Sequence, residues 1–401
     1  FHDDITATSI ASEYERSWND YMLSLNQFGN EYENAVGGVA SVMDTSVAEG
    51  TALVVNNPVA IDRNDVVEAT VTMDSDCEAV RVYDDQGNEV ASQILSKDGN
   101  VFEIAFKAEV SSMGYRVFDV RPSDTACEID TGLSVTSDTL SNEKYNVVID
   151  ANGDIHSIYD KELGKELLAD PIRLGQLNDT ETEWPAWELK FDDYAFKDAR
   201  EYVTADKASK FEVVENGPAR VAIKITREYG NSSYEQIVSL EAGGEAVEVQ
   251  NVIDWQEKST MLKANFSFTA TNDTATYDLG LGAIERGNNT QWQAESPAQK
   301  WADITDDSGE YGVSVLSDSK NGWDKPYSNT LRLTLIHTPS GDYLGESQQS
   351  YMDWGENRFG YAIYGHANTY GEAETQQQAQ LFTEPMVAFQ TVKHDGSLGS
   401  N

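Results

Sequence analysis

The sequence is poor in the residue types that announce several common chemistries. Its 401 residues hold two cysteines, Cys77 and Cys127, with no CxxC pair. A thiolate metal cluster and a disulfide framework are therefore both excluded. What remains is one bridge between these two thiols, or two free cysteines. No glycine-rich phosphate loop and no GxSxG elbow occurs, so nucleotide and serine-hydrolase chemistry have no motif to stand on. Long apolar runs are missing as well. The longest, such as Leu331 to Ile336, are strand-sized and far short of the ~20 residues that a membrane helix needs. No membrane partner is expected.

Basic residues are scarce. Lysine and arginine number 28 against 69 acidic residues, a net charge of −41, which repels nucleic acid, polyanions and anionic membranes. A neutral or cationic substrate fits this balance; so does a solvated surface adapted to salty or extracellular surroundings. The charge is spread along the chain instead of forming a tail, and the expected location is secreted or otherwise extracytoplasmic. The first residue is Phe1 and no signal-peptide pattern follows it. The expectation is that processing removed an upstream segment or that the chain starts mid-protein.

Two periodicities divide what is there. Ile10, Tyr14, Trp18, Tyr21, Leu25, Phe28 and Tyr32 recur at steps of four and three, the apolar stripe of a long helix expected to pack against other helices. Thr6, Thr8 and Ser9 are its candidate caps. The Gly37-Gly38 pair predicts a kink or a restart before Met43.

From about Gly50 the period changes to two. Val67, Ala69, Val71 and Met73 alternate with polar residues, as do Phe102, Ile104 and Phe106, then Tyr145, Val147 and Ile149, Val221, Ile223 and Ile225, and Leu331, Leu333 and Leu335. Asn152-Gly153 and Gly243-Gly244 are hairpin signals between such runs. Antiparallel neighbours joined by short turns make sandwiches, not βαβ units. The fold class expected is mainly β, with a helical segment over 1–49, a small antiparallel β-domain over 50–133 and a large one over 134–401.

A histidine and a carboxylate open the chain, in Phe1-His2-Asp3-Asp4-Ile5-Thr6-Ala7-Thr8. Imidazole is a good zinc ligand, and a neighbouring carboxylate can accept hydroxyl hydrogen bonds. This stretch resembles the His-Asp-x-Ile-Thr-Gly-Thr segment of glycoside hydrolase family 38 α-mannosidases, with Ala7 in place of the glycine. The resemblance continues in order along the chain. It runs through Leu53-Val54-Val55-Asn56-Asn57-Pro58 with Arg63 and Val66-Val67, then Leu140-Ser141-Asn142-Glu143-Lys144-Tyr145, Asn152-Gly153, Ile155, Ser157-Ile158 and Tyr159-Asp160-Lys161. Tyr277-Asp278-Leu279, Gly282, Ile284 and Arg286 follow, then Pro297 to Asp303, and finally Asp353, Gly355, Phe359, Tyr361 and His366.

The resemblance implies a three-helix-bundle remnant, a small β-sandwich and a mutarotase-like β-supersandwich. It implies hydrolysis of terminal α-mannosides with retention and with Zn2+, in which His2 is a metal ligand and Asp3 a substrate contact. The other zinc ligands, the nucleophile and the acid/base would lie on an upstream catalytic barrel, the partner of this chain. No catalytic residue is therefore assigned within these 401 positions, and the chain alone is expected to be inactive. Arg286 and Trp301 are further candidate substrate contacts, in loops that would face the barrel. Trp184, Trp187, Trp323 and Trp354 suit sugar stacking or an aromatic core equally. His337 and His366, in strand-like runs, are expected to be structural. An oligomer is compatible with all of this. Two other readings stand beside the enzyme: a non-catalytic carbohydrate-binding β-sandwich module, and a structural subunit of a processed enzyme.

Overall fold

The computed structural model describes residues 9, 11–185, 187–204, 209–339 and 352–401. His2 and Asp3 lie outside the described residues, as do the proposed caps Thr6 and Thr8.

The helix runs unbroken over Ala11–Ala40. It passes through Gly37-Gly38 without the expected restart, since a glycine costs a helix only about 1 kcal/mol relative to alanine. The last turn is fastened instead: Val36, Ala40 and Met43 are buried, with Ala40 and Met43 against Val54 and Val117. Further towards the N-terminus the apolar stripe faces solvent, with Trp18 65%, Leu25 66% and Phe28 75% exposed. The expectation that it packs as a core face is thus not met among the described residues, where no second long helix lies beside it. Tyr32 marks the transition, its hydroxyl donating to Asn56 Oδ1 at 2.8 Å.

Next comes a two-layer β-unit. Thr51–Asn56 sits between Tyr115–Ser123 and Val387–Thr391, with Ala79–Tyr83 and Glu89–Val90 extending the sheet. A second layer holds Arg63–Thr72, Val101–Val110 and Ser92–Asp98. Side chains alternate across each strand, so Leu53, Val67, Val71, Phe102, Phe106 and Phe118 meet in one core between the layers. Val387–Thr391 comes from the far end of the chain, in register Leu53↔Gln390 and Val55↔Ala388. The cysteines are both free, which corrects the bridged alternative. The Cys127 thiol donates to the Val90 carbonyl at 3.7 Å, while Cys77 packs on the edge of the core.

The large β-unit is two sheets packed face to face. One has nine strands, in the order Lys210–Asn216, Arg220–Tyr229, Ser232–Glu241, Val247–Trp255, Gly355–Ala367, Tyr311–Ser317, Trp301–Thr305, Thr274–Asp278 and Ala283–Gly287. The other has eleven, and its centre is Gly322–Tyr327, Thr330–Thr338, Thr260–Phe268, Leu168–Asn178 and Ile155–Asp160. Neighbours pair antiparallel. Leu174, Ala264, Phe266 and Leu333 from one sheet interdigitate with Ile223, Val249, Trp255 and Ile363 from the other. Both expected hairpins form, with Gly153 at φ +90° and Gly243 at φ +63°, backbone that glycine adopts without a Cβ penalty. The mainly β, multi-sandwich architecture is as the alternation predicts.

Candidate functional site

The eleven-stranded sheet has a second face. Because Leu174, Ala264, Leu333 and Trp323 point into the core, the residues between them on the same strands point the other way. Arg173, Asn265, Arg332 and Asp324 then stand side by side across four strands, in register Arg173↔Asn265, Asn265↔Arg332 and Asp324↔Arg332. The segment holding the short helix Phe191–Tyr194 folds over this face, so the row is largely covered.

Buried charge survives only when paired and hydrogen-bonded, and here it is. Lys263, fully buried, donates to Asp324 Oδ1 at 2.9 Å and to Glu295 Oε2 at 2.8 Å. Arg332 Nε lies 3.1 Å from both Asp324 oxygens, and its outer nitrogens donate to the Lys197 and Tyr194 carbonyls at 2.8 and 2.9 Å. Asn289 completes the set on Asp324 Oδ2 at 2.8 Å. Burial alone would raise the Asp324 carboxyl, but Lys263 and Arg332 overcome it and hold the group below its ordinary value. With its hydrogen-bonding capacity used internally, this cluster is an anchor for the covering segment and not an acid or base.

Arg286 stands on the edge strand Ala283–Gly287, half-buried and opposite Ala275. Its charge opposes the strong rise that burial imposes on the Tyr277 hydroxyl, which Asp324 and Glu295 also push up. The hairpin carrying it is held at its tip: the fully buried Asp278 carboxylate accepts from the Gly280 amide at 2.7 Å and the Lys300 amide at 3.0 Å. That brace projects Leu281 fully into solvent, beside a half-exposed Leu279. Trp292, on the turn between Thr290 and Gln293, is 90% exposed. Trp184 and Trp187 are partly exposed, with ring centroids 5.6 Å apart.

Trp301 is not presented to a ligand. It is buried, its Nε1 donates to Gln376 Oε1 at 2.8 Å, and it packs with Leu316, Tyr364 and Ala379. Its work is to seat the helix Thr375–Thr383 on the nine-stranded sheet. Trp323 is likewise core. His366 Nε2 meets buried Asp303 Oδ2 at 2.8 Å, and His337 Nε2 meets buried Asp179 Oδ2 at 2.6 Å. Both histidines therefore have structural carboxylate partners.

A cleft of about 420 Å3 separates the small and large β-units, with Asp65, Glu68, Arg220, Glu241 and Glu248 among its walls. Arg220 binds Glu215 at 2.9 Å and reaches Glu68 of the small unit and, at 4.0 Å, Glu241. Burial, and then Glu248, push the Glu241 carboxyl up to about 8 against the pull of Arg220. Sequence reasoning missed this cleft and the Lys263 cluster. A signal for the second existed: Lys263 and Arg332 are the only lysine, arginine or acidic residues in the strand runs Thr260–Phe268 and Thr330–Thr338.

Among the described residues no group of three or more His, Cys, Asp or Glu side chains is arranged to hold a metal ion. They do not by themselves fit a zinc centre, which takes three or four protein ligands.

Residues 140–343 match the profile of the glycosyl hydrolases family 38 C-terminal domain, half of the chain and most of the large sandwich. The chain belongs to glycoside hydrolase family 38. It is 26% identical over 241 residues to "Alpha-mannosidase G" of Dictyostelium discoideum, covering 57% of this chain and 21% of that protein. It is 24% identical over 318 residues to human "Alpha-mannosidase 2C1", covering 73% of this chain and 28% of that protein. The fold of this family 38 chain is similar to that of an α-mannosidase from Enterococcus faecalis V583, with a TM-score of 0.78 at 17% identity, over 96% of this chain and 51% of that one. The chain thus spans about a quarter of the length of the curated relatives it matches, and about half of the solved one.

Proposed function

We propose that this chain is the β-sandwich portion of a zinc-dependent retaining α-mannosidase that cleaves terminal α-mannosides of glycans. The observation that carries the reading is the family 38 match over residues 140–343, supported by relatives whose names are α-mannosidase. In this reading His2 contributes one imidazole to the metal and Asp3 accepts from a sugar hydroxyl. Zinc, when bound, would supply electrophilic stabilisation of sugar hydroxyls. The remaining ligands, the nucleophile and the acid/base come from a catalytic barrel outside these residues. Arg286 is the described residue best suited to join them, being half-buried, cationic and carried on a braced edge hairpin.

The test has two parts. The parent protein with the barrel should hydrolyse an aryl α-mannoside, release the α-anomer first by NMR and carry zinc by elemental analysis. His2→Ala should abolish turnover and lower the zinc content, whereas this chain alone should show neither. Wild-type turnover in His2→Ala, or the β-anomer as first product, would overturn the reading.

A further inference from the structure

The outer face of the eleven-stranded sheet opens, beside the buried charge cluster, into a cleft of about 460 Å3. That is within the range of small-molecule sites, roughly 300–1,000 Å3. Its floor is the strand row Arg173↔Asn265↔Arg332, and its rim is Asp170, Lys197, Asp198 and Tyr202.

What distinguishes this cleft from the cluster behind it is that, Arg332 apart, its polar groups keep unused hydrogen-bonding capacity. Arg332 is fully engaged, as described above. Arg173 is half-exposed, uses only its Nε edge, 3.3 Å from Asp154 Oδ2, and lies 5.0 Å over the Tyr202 ring. Its terminal nitrogens make no hydrogen bond among the described residues. Asn265 donates through Nδ2 to the Arg173 and Lys263 carbonyls at 3.4 and 3.3 Å, leaving Oδ1 for an incoming donor. The Lys197 carbonyl holds Arg332, which fixes the backbone while the exposed ammonium is left without a carboxylate among the described residues. The Asp170 and Asp198 side chains are exposed and likewise without a cation there.

The geometry points to a saccharide-binding cleft: we propose that it takes a neutral hexose unit, with Arg173 and Lys197 donating to hydroxyls and Asp170, Asp198 and Asn265 Oδ1 accepting from them. A sugar hydroxyl both donates and accepts, so it can use a wall that presents both kinds of group. An anion could use only the donors, and it would meet two carboxylates on a chain of net charge −41. An apolar ligand would leave five polar groups desolvated and unpaired. The half-exposed Tyr327, which also lines the cleft, supplies aromatic surface of the kind that suits the C–H face of a pyranose. The site goes beyond the hydrolase reading and does not depend on it.

The test is a binding titration on this chain with methyl α-mannoside, methyl β-glucoside and methyl β-galactoside, read by calorimetry and by saturation-transfer NMR. At least one hexoside should saturate with a Kd on the order of 1–10 mM. Arg173→Gln should weaken it at least about tenfold, with the fold kept because Asp154 retains Arg227 at 2.8 Å. Lys197→Gln combined with Asp198→Asn, both exposed, should weaken it with an unchanged melting temperature. Absence of saturation for every hexoside up to about 100 mM, undiminished binding in both variants, or inorganic phosphate binding where hexosides do not would each overturn the proposal. Because the readout is binding, a parent protein that cleaves no mannoside would remove the hydrolase reading and leave this one standing. An active parent whose chain binds no hexoside would do the reverse.

Discussion

Asp324 and Arg332 face each other directly across neighbouring antiparallel strands, and their side chains meet on the outer face of the sheet. The pair is buried and shared with Lys263, so Asp324 faces two cations in a place that water does not reach, with Glu295 as the second carboxylate on Lys263.

Asp324→Asn should therefore be severe. It keeps the shape but leaves Lys263 and Arg332 facing one another with only Glu295 in reach, a loss of about 3–5 kcal/mol. Urea titration followed by tryptophan fluorescence measures it. Because the folded carboxyl is held below its ordinary value, the stabilisation is present at neutral pH and disappears in acid, as pH falls through the folded value. A loss under about 1 kcal/mol would mean the cluster is not desolvated as described.

The small–large cleft carries the opposite pH dependence. Burial first, and then the like charges of Glu248 and Asp65, raise the Glu241 carboxyl from 4.5 to about 8 against Arg220 and Lys107. Between those values the fold holds more protons than the unfolded chain, so stability falls as pH rises through that window. Glu241→Gln should flatten that fall, raising the melting temperature near pH 8–9 while changing little near pH 4. An equal shift at both ends would sink the assignment.

Two tryptophans separate core from surface. Trp301→Ala should cost about 3–5 kcal/mol, the toll of emptying a buried aromatic site, while Trp18→Ala on the exposed helix face should stay within about 0.5 kcal/mol. Thermal melts of the two variants side by side check the contrast.

The hairpin brace is tested by hydrogen exchange. Asp278→Ala removes the acceptor of the Gly280 and Lys300 amides, and both should exchange markedly faster, with the change confined to the tip and its neighbours. Retained protection at Gly280 would show that the turn stands without the carboxylate.

The alternation of Val67, Phe102, Tyr145, Val221 and Leu331 made the strands readable, and Asn152-Gly153 and Gly243-Gly244 made two hairpins readable, because period and turn chemistry are local properties. The helix was equally plain from its stripe. What covers the stripe is not a local property, and the described residues supply no partner for Trp18 or Phe28. The burial of Lys263 and Arg332 is not legible in this way, because alternation marks a residue as facing away from one core without saying whether that face is wet. The segment that covers it, around Phe191 and Tyr202, is joined to it only by tertiary folding. Trp301 shows the same limit from the other side, since an aromatic beside Lys300 reads alike as platform or as core. The Glu241 cleft forms between units far apart in sequence, which no spacing within either one records.

The strand Val387–Thr391 leaves the ribosome only after the whole large sandwich, yet its place is beside Thr51–Asn56, and nearby Thr45 hydrogen-bonds Val392 across 347 positions. During synthesis the nascent Thr51–Asn56 strand thus waits with one row of backbone donors and acceptors open, the kind of edge that recruits foreign strands. Of the two sandwiches the small one is begun first and finished last, and a message truncated before Val387 would yield a chain whose large sandwich is complete but whose small one remains sticky.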